Sequence, residues 1–256
     1  MKSNIKFEYI SYYFVQKLFD ILHKNKALQI IKYNKTIQSI LKININDYKY
    51  YSEKFTPIEI EITTIKNKYG KFINNEGNET YFHIYFNNCN QEIKRNYITK
   101  EDNNVSKIKI IIDYQINTFH RLFSYCKTIE KISFKKFYRN NITDMKEMFS
   151  NCSSLETINF SNFNTINVTD MSGMFSFCSS IKELNLQNFN TDNVNDMRGM
   201  FVGCSSLKEL YLPNINNNII NTEGLFSGCS TDFKNKIRKQ YKFLNSKAFD
   251  YLYIYQ

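Results

Sequence analysis

The chain has 256 residues, enough for one or two domains with a sizeable core. Its net charge of +10 is unevenly placed: residues 1–118 hold 18 Lys/Arg against 12 Asp/Glu, residues 119–230 hold 10 against 10, and residues 231–256 hold 6 against 2. Nucleic-acid binders gather cations along a face that follows phosphates, so the neutral middle argues against that role. Phe (22) and Tyr (19) are abundant and Trp is absent. With the many Asn residues this reads as codon bias, which leaves the Asn-x-Ser/Thr matches at Asn34, Asn78, Asn141, Asn159 and Asn167 as chance.

Tyr12, Val15, Phe19 and Leu22 fall at helical spacing, as do Leu28, Ile31, Ile37 and Ile40 or Leu41. They predict a helical pair over residues 1–55. Glu8, Lys17 and Asp20 interrupt the first apolar stretch, which therefore suits neither a signal peptide nor a membrane span. A cytoplasmic location is expected, with the cell surface as the alternative if the N-terminus is incomplete. Residues 56–115 predict a β-rich segment. Ile58-Glu-Ile-Glu-Ile62 alternates like a half-buried strand. Tyr69–Ile73 and Tyr81–Phe86 flank an Asn/Gly loop at residues 74–78 and predict a hairpin. Lys107–Ile112 predicts the edge strand on which the next region starts.

Over residues 116–230 one word recurs, as Met145-Lys-Glu-Met148-Phe149-Ser-Asn-Cys152 and Met171-Ser-Gly-Met174-Phe175-Ser-Phe-Cys178. It returns as Met197-Arg-Gly-Met200-Phe201-Val-Gly-Cys204, and the cysteines Cys126, Cys152, Cys178, Cys204 and Cys229 lie 26, 26, 26 and 25 residues apart. A fixed period of this size predicts a solenoid, here of about four coils. Leu155-x-x-Ile158-x-Phe160, Ile181-x-x-Leu184-x-Leu186 and Leu207-x-x-Leu210-x-Leu212 supply a short strand per coil. Asp144, Asp170 and Asp196 are placed to N-cap a short helix whose buried face is Met, Met and Phe. Successive rungs lie roughly 4.8 Å apart, so the cysteines predict a buried column of reduced thiols, not disulfides. Residues 231–256 predict a helix with Phe233, Ile237, Tyr241, Leu244 and Ala248 on one side and most of its basic residues elsewhere. Covering the last coil suits it better than docking to calmodulin or an anionic membrane.

The phrase Asn167-Val-Thr-Asp-Met-Ser-Gly-Met-Phe-Ser-Phe-Cys-Ser-Ser-Ile181, followed by Lys-Glu-Leu-Asn-Leu, resembles the BspA-type leucine-rich repeat, the bacterial surface-protein 26-residue repeat. The resemblance covers about residues 119–229. It implies an α/β leucine-rich-repeat solenoid and a role in binding macromolecules, often at a cell surface. Residues 11–41 are more distantly similar to an F-box, the helical module that docks onto a cullin ubiquitin ligase, though its opening Leu-Pro is missing.

No catalytic, cofactor or metal motif appears. His23, His83 and His120 share no ligand spacing, Cys89 has no nearby histidine in sequence, and the recurring Asp and Met read as caps and core before they read as calcium or copper ladders. What remains is the outer strand face: Lys131, Ser133, Lys135; Thr157, Asn159, Ser161; Glu183, Asn185, Gln187; Glu209 and Tyr211. It predicts a non-enzymatic, monomeric protein-recognition scaffold, with Tyr211 as anchor or as filler beside the terminal helix. An F-box-like substrate receptor and a surface adhesin are the alternatives. No cofactor is expected.

Overall fold

The computed structural model describes residues 34–40, 56–102, 104–113, 115–213 and 221–250. The chain divides into residues 1–56 and 57–256. In the first unit the described element is a helix, α1, Lys35–Ile40. The rest of the expected helical pair, and with it the F-box-like stretch, lies outside the described residues.

The second unit is mostly β. Its strands are β1 (Ile58–Thr64), β2 (Gly70–Lys71), β3 (Phe82–Phe86), β4 (Glu92–Ile93), β5 (Tyr97–Ile98), β6 (Lys107–Ile112), β7 (Ile129–Lys136), β8 (Thr157–Asn159), β9 (Glu183–Asn185) and β10 (Glu209–Tyr211). A mixed six-stranded sheet runs β4-β3-β6-β1-β7-β8, antiparallel except for β8, which is parallel to β7. The strands β9 and β10 form a parallel pair, and β2 pairs antiparallel with β5. Alternation puts Ile58, Ile60, Ile62, Ile108, Ile110, Ile112, Ile132 and Phe134 inside.

The expected α/β leucine-rich-repeat solenoid, with a helix in every coil, is not what residues 116–230 form: the described fold is mostly β, built on a mixed six-stranded sheet. The Met-x-x-Met-Phe segments are not helical. A helix needs each N–H to reach the carbonyl four residues back. Here Met148 N–H turns back to Met145 O (3.2 Å) while Phe149 N–H reaches across to Met174 O (2.9 Å). Glu147, Gly173, Gly199 and Gly224 hold φ of 52°, 60°, 61° and 58°, which an α-helix does not admit.

These segments form overlapping turns, with alternate N–H groups donating to the next tier. Phe119, Arg121, Phe123 and Tyr125 donate to Asp144, Lys146, Met148 and Ser150. The same rows continue through Met145, Glu147, Phe149 and Asn151, and through Met171, Gly173, Phe175 and Phe177. Phe123, Phe149, Phe175, Phe201 and Phe226 stack beneath, with successive ring centroids 5.5, 5.5, 5.8 and 5.5 Å apart.

All of these N–H groups point the same way, so each end of the rows needs its own partners. At the start, Asn74 N–H donates to Leu122 O (2.7 Å), and its side-chain amide donates to Arg121 O (2.9 Å) and Ser124 O (2.8 Å). At the other end Gly224 and Phe226 donate to Lys247 O and Ala248 O, in a 3-10 turn over Ser246–Phe249. The expected C-terminal helix is short: α2, Thr231–Gln240, N-capped by Ser230 and burying Phe233 and Ile237.

Two smaller expectations also fail. Tyr69–Ile73 and Tyr81–Phe86 make no hairpin, because β2 pairs with β5 and a 3-10 turn at Glu79–Tyr81 leads into β3. Nor is Lys107–Ile112 an edge: β6 lies between β3 and β1, and β7 carries the chain onward.

Candidate recognition surface

The outward side chains of the sheet form one polar face, in rows fixed by strand register. One row runs Tyr85, Lys109, Glu61, Ser133 and Asn159; another runs Lys107, Thr63, Lys131 and Thr157. Glu183 lies beside Glu209 and Asn185 beside Tyr211 in the β9–β10 pair. Lys131, Lys135, Thr157, Asn159, Ser161, Glu183, Asn185 and Gln187 are exposed, whereas Ser133, Glu209 and Tyr211 are half-buried.

Glu59 and Glu61 of β1, which the sequence reading left out of the face, organise its charge. Glu59 meets Lys136 (2.5 Å) and Lys109 (3.9 Å), and Glu61 meets Lys135 (3.1 Å) and Lys107 (3.8 Å). The Glu59 carboxylate holds the Lys136 ammonium above the ordinary lysine range. Exposed pairs of this kind contribute little stability but fix where charge is presented. The signal for these residues was the alternation Ile-Glu-Ile-Glu-Ile against Lys-Ile-Lys-Ile, charge facing charge on neighbouring strands.

Not every predicted contact residue is free to bind. The Asn159 and Asn185 side-chain oxygens accept the backbone N–H of Ser161 (2.9 Å) and Gln187 (3.0 Å), leaving their amide ends outward. Glu209 is paired with Lys236 of α2. The Tyr241 hydroxyl donates to Leu210 O (3.2 Å) and accepts from Leu212 N–H (3.0 Å), occupying the edge of β10 beside Tyr211.

The other singled-out residues lie inside or between tiers. Asp144, Asp170 and Asp196 accept the N–H of Lys146, Ser172 and Arg198, each at 2.8 Å, closing turns instead of capping helices. The five cysteines of the row are buried and free. Cys152, Cys178, Cys204 and Cys229 donate S–H to Phe123 O, Phe149 O, Phe175 O and Phe201 O at 2.9–3.2 Å. Burial pushes the Cys152 thiol up to about 12. These thiols are structural donors, a role beyond the apolar filling expected of them.

A cavity of about 430 Å³ opens beside β3 and β4, lined by Phe82, Ile84, Ile93 and Tyr97. Arg95 at its rim is held by Asp102 in a bidentate pair at 2.6 Å, which keeps the Asp102 carboxyl far below the usual range. Among the described residues no group of His, Cys, Asp and Glu is arranged to hold a metal ion, and no helix is long and apolar enough to cross a membrane.

No curated protein and no solved structure matches the chain. Residues 117–241 are similar to the family model described as Mycoplasma protein of unknown function, DUF285.

Proposed function

We propose that the protein is a non-catalytic recognition module that binds a protein partner through the outer face of β7, β8, β9 and β10. The observation that carries this reading is the register of that face. Lys131 stands beside Thr157, Ser133 beside Asn159, Glu183 beside Glu209 and Asn185 beside Tyr211, as exposed or half-exposed side chains on rigid strands. Strands hold such groups at set spacing, so a partner meets a fixed pattern of donors, acceptors and charges. The resemblance of residues 119–229 to the BspA-type repeat, which implies macromolecule binding, points the same way.

The half-buried Tyr211 offers the partner one aromatic at the far end of the row. The test is quantitative capture from lysate of the native cells. Lys131→Glu with Glu183→Arg should cut retention of the specific partner at least tenfold, and Tyr211→Ala several-fold. Unchanged retention by both variants, with melting as in the wild type, would put the binding face elsewhere.

A further inference from the structure

The helix α2 and the turn that follows carry six cations, Lys234, Lys236, Arg238, Lys239, Lys242 and Lys247, against Asp232 and Asp250. Two have tasks inside the fold: Lys236 pairs with Glu209, and the Arg238 guanidinium lies 4.4 Å over the Phe249 ring. Lys239, Lys242 and Lys247 are exposed and enter no ion pair among the described residues. On the sheet face, by contrast, Lys107, Lys109, Lys135 and Lys136 all meet Glu59 or Glu61.

Phe243 lies between Lys242 and Lys247 in sequence, next to Lys242, and is 47% exposed. Its ring meets that of the half-buried Tyr241 edge to face, at 5.8 Å between centroids. The sequence beyond, Tyr251-Leu252-Tyr253-Ile254-Tyr255, has the same aromatic and apolar chemistry. Burying Phe233 and Ile237 needs neither the lysines nor an exposed phenylalanine.

We propose that this part of the chain is a peripheral docking site for an anionic lipid surface. Lysines 239, 242 and 247 meet the headgroups, and the Phe243 ring enters the interface between them. Lysine is a compact point charge suited to a diffuse field of headgroups, whereas acidic peptides are best held by the bidentate fork of arginine. The arginine here is already stacked on Phe249.

The test sediments the full chain with vesicles of phosphatidylcholine alone, and of phosphatidylcholine with one third phosphatidylglycerol. Binding is expected only to the anionic vesicles and should weaken as salt is raised. With each lysine contributing about fivefold, the triple variant Lys239→Gln, Lys242→Gln, Lys247→Gln should bind roughly a hundredfold more weakly. Phe243→Ser should lose several-fold at unchanged charge, and Lys107→Gln with Lys109→Gln should lose nothing. Millimolar inorganic phosphate should not displace the protein; displacement would make the site one for free phosphate and overturn the proposal. Equal binding to both vesicles, or indifference to the lysine triple or to Phe243→Ser, would overturn it as well. Lysine-dependent binding of a fluorescent polyglutamate peptide without vesicle binding would assign the patch to an acidic protein instead.

Discussion

Asn74 tests how the stacked turns begin. Its side-chain amide spends both protons on first-tier carbonyls, Arg121 O at 2.9 Å and Ser124 O at 2.8 Å. Asn74→Ala removes both bonds and leaves the backbone bond to Leu122 O (2.7 Å) in place. Arg121 is exposed, so water can replace the lost donor there, and the net cost is about 0.5–1.5 kcal/mol. Ser124 is buried, and its carbonyl would keep the long Cys126 S–H contact (3.8 Å) as a weak substitute, for roughly 1–3 kcal/mol more. The expected loss is therefore about 1.5–4.5 kcal/mol, which corresponds to a melting temperature lower by roughly 3–18 °C for a unit of this size. Asn74→Asp should be worse, because a carboxylate would face two carbonyl oxygens. Urea unfolding followed by circular dichroism gives the free energy, and amide exchange at Phe123 and Tyr125 should speed up first. A loss below about 0.5 kcal/mol for Asn74→Ala, or a stable Asn74→Asp, would refute the view that this residue terminates the rows.

Gly203 has φ of 68°, and a Cβ there would come 2.5 Å from Phe177 Cδ1. Gly203→Ala should cost about 1–2 kcal/mol for the left-handed backbone; adding Phe177→Ala should relieve the clash alone, as a double-mutant cycle by urea titration would show. Tyr241→Phe should uncover the edge of β10, lowering stability by about 1 kcal/mol and raising light scattering on storage. With one exposed cysteine, Cys89, and five buried, a thiol reagent at pH 8 should count one thiol natively and all six in denaturant. Burial raises the Cys152 thiol from 9.0 to about 12, so its contribution to stability is complete below pH 9 and is lost as pH rises from 9 toward 12. The fall should reach about 1.4 kcal/mol per pH unit for each such thiol, and Cys152→Ala should show a shallower slope in pH-dependent urea melts.

The strands were the most legible part of the sequence. Ile58-Glu-Ile-Glu-Ile62 and Lys107-Ile-Lys-Ile-Ile-Ile112 alternate as their burial does. Their neighbours were not legible, since alternation says which side faces in and nothing about which strand pairs with which. The expected helices misled for a definable reason. Met at i and i+3 with Phe at i+4 satisfies the helical period, yet it equally suits turns closed from i to i+3, as between Met145 and Met148. The warning was glycine inside the phrase, at Gly173, Gly199 and Gly224, where left-handed φ is needed. Glu147, Arg121, Tyr125 and Phe177 adopt the same φ without being glycine and hid the pattern.

Asparagine was undervalued too. Attributed to codon usage, it is structural here: Asn167 donates to Asn140 O (2.7 Å) and Asn193 to Ile166 O (2.7 Å), each reaching the preceding tier. On the candidate face the sequence placed Lys131, Thr157 and Glu183 outward, where they lie. It could not show Glu59 and Glu61 arriving beside β7, because that contact joins residues more than seventy positions apart, as between Glu59 and Lys136.

The recognition face is tested most directly by chemical footprinting of the protein with its captured partner. Amine acetylation and carboxyl labelling would be read at Lys131, Lys135 and Glu183, with the exposed Lys66 and Lys127, off that face, as internal standards. Protection at Lys131, Lys135 and Glu183 with unchanged labelling at Lys66 and Lys127 is the predicted result. Protection confined to Lys66, Lys127 or the C-terminal lysines, with the strand residues labelled as in the free protein, would contradict it.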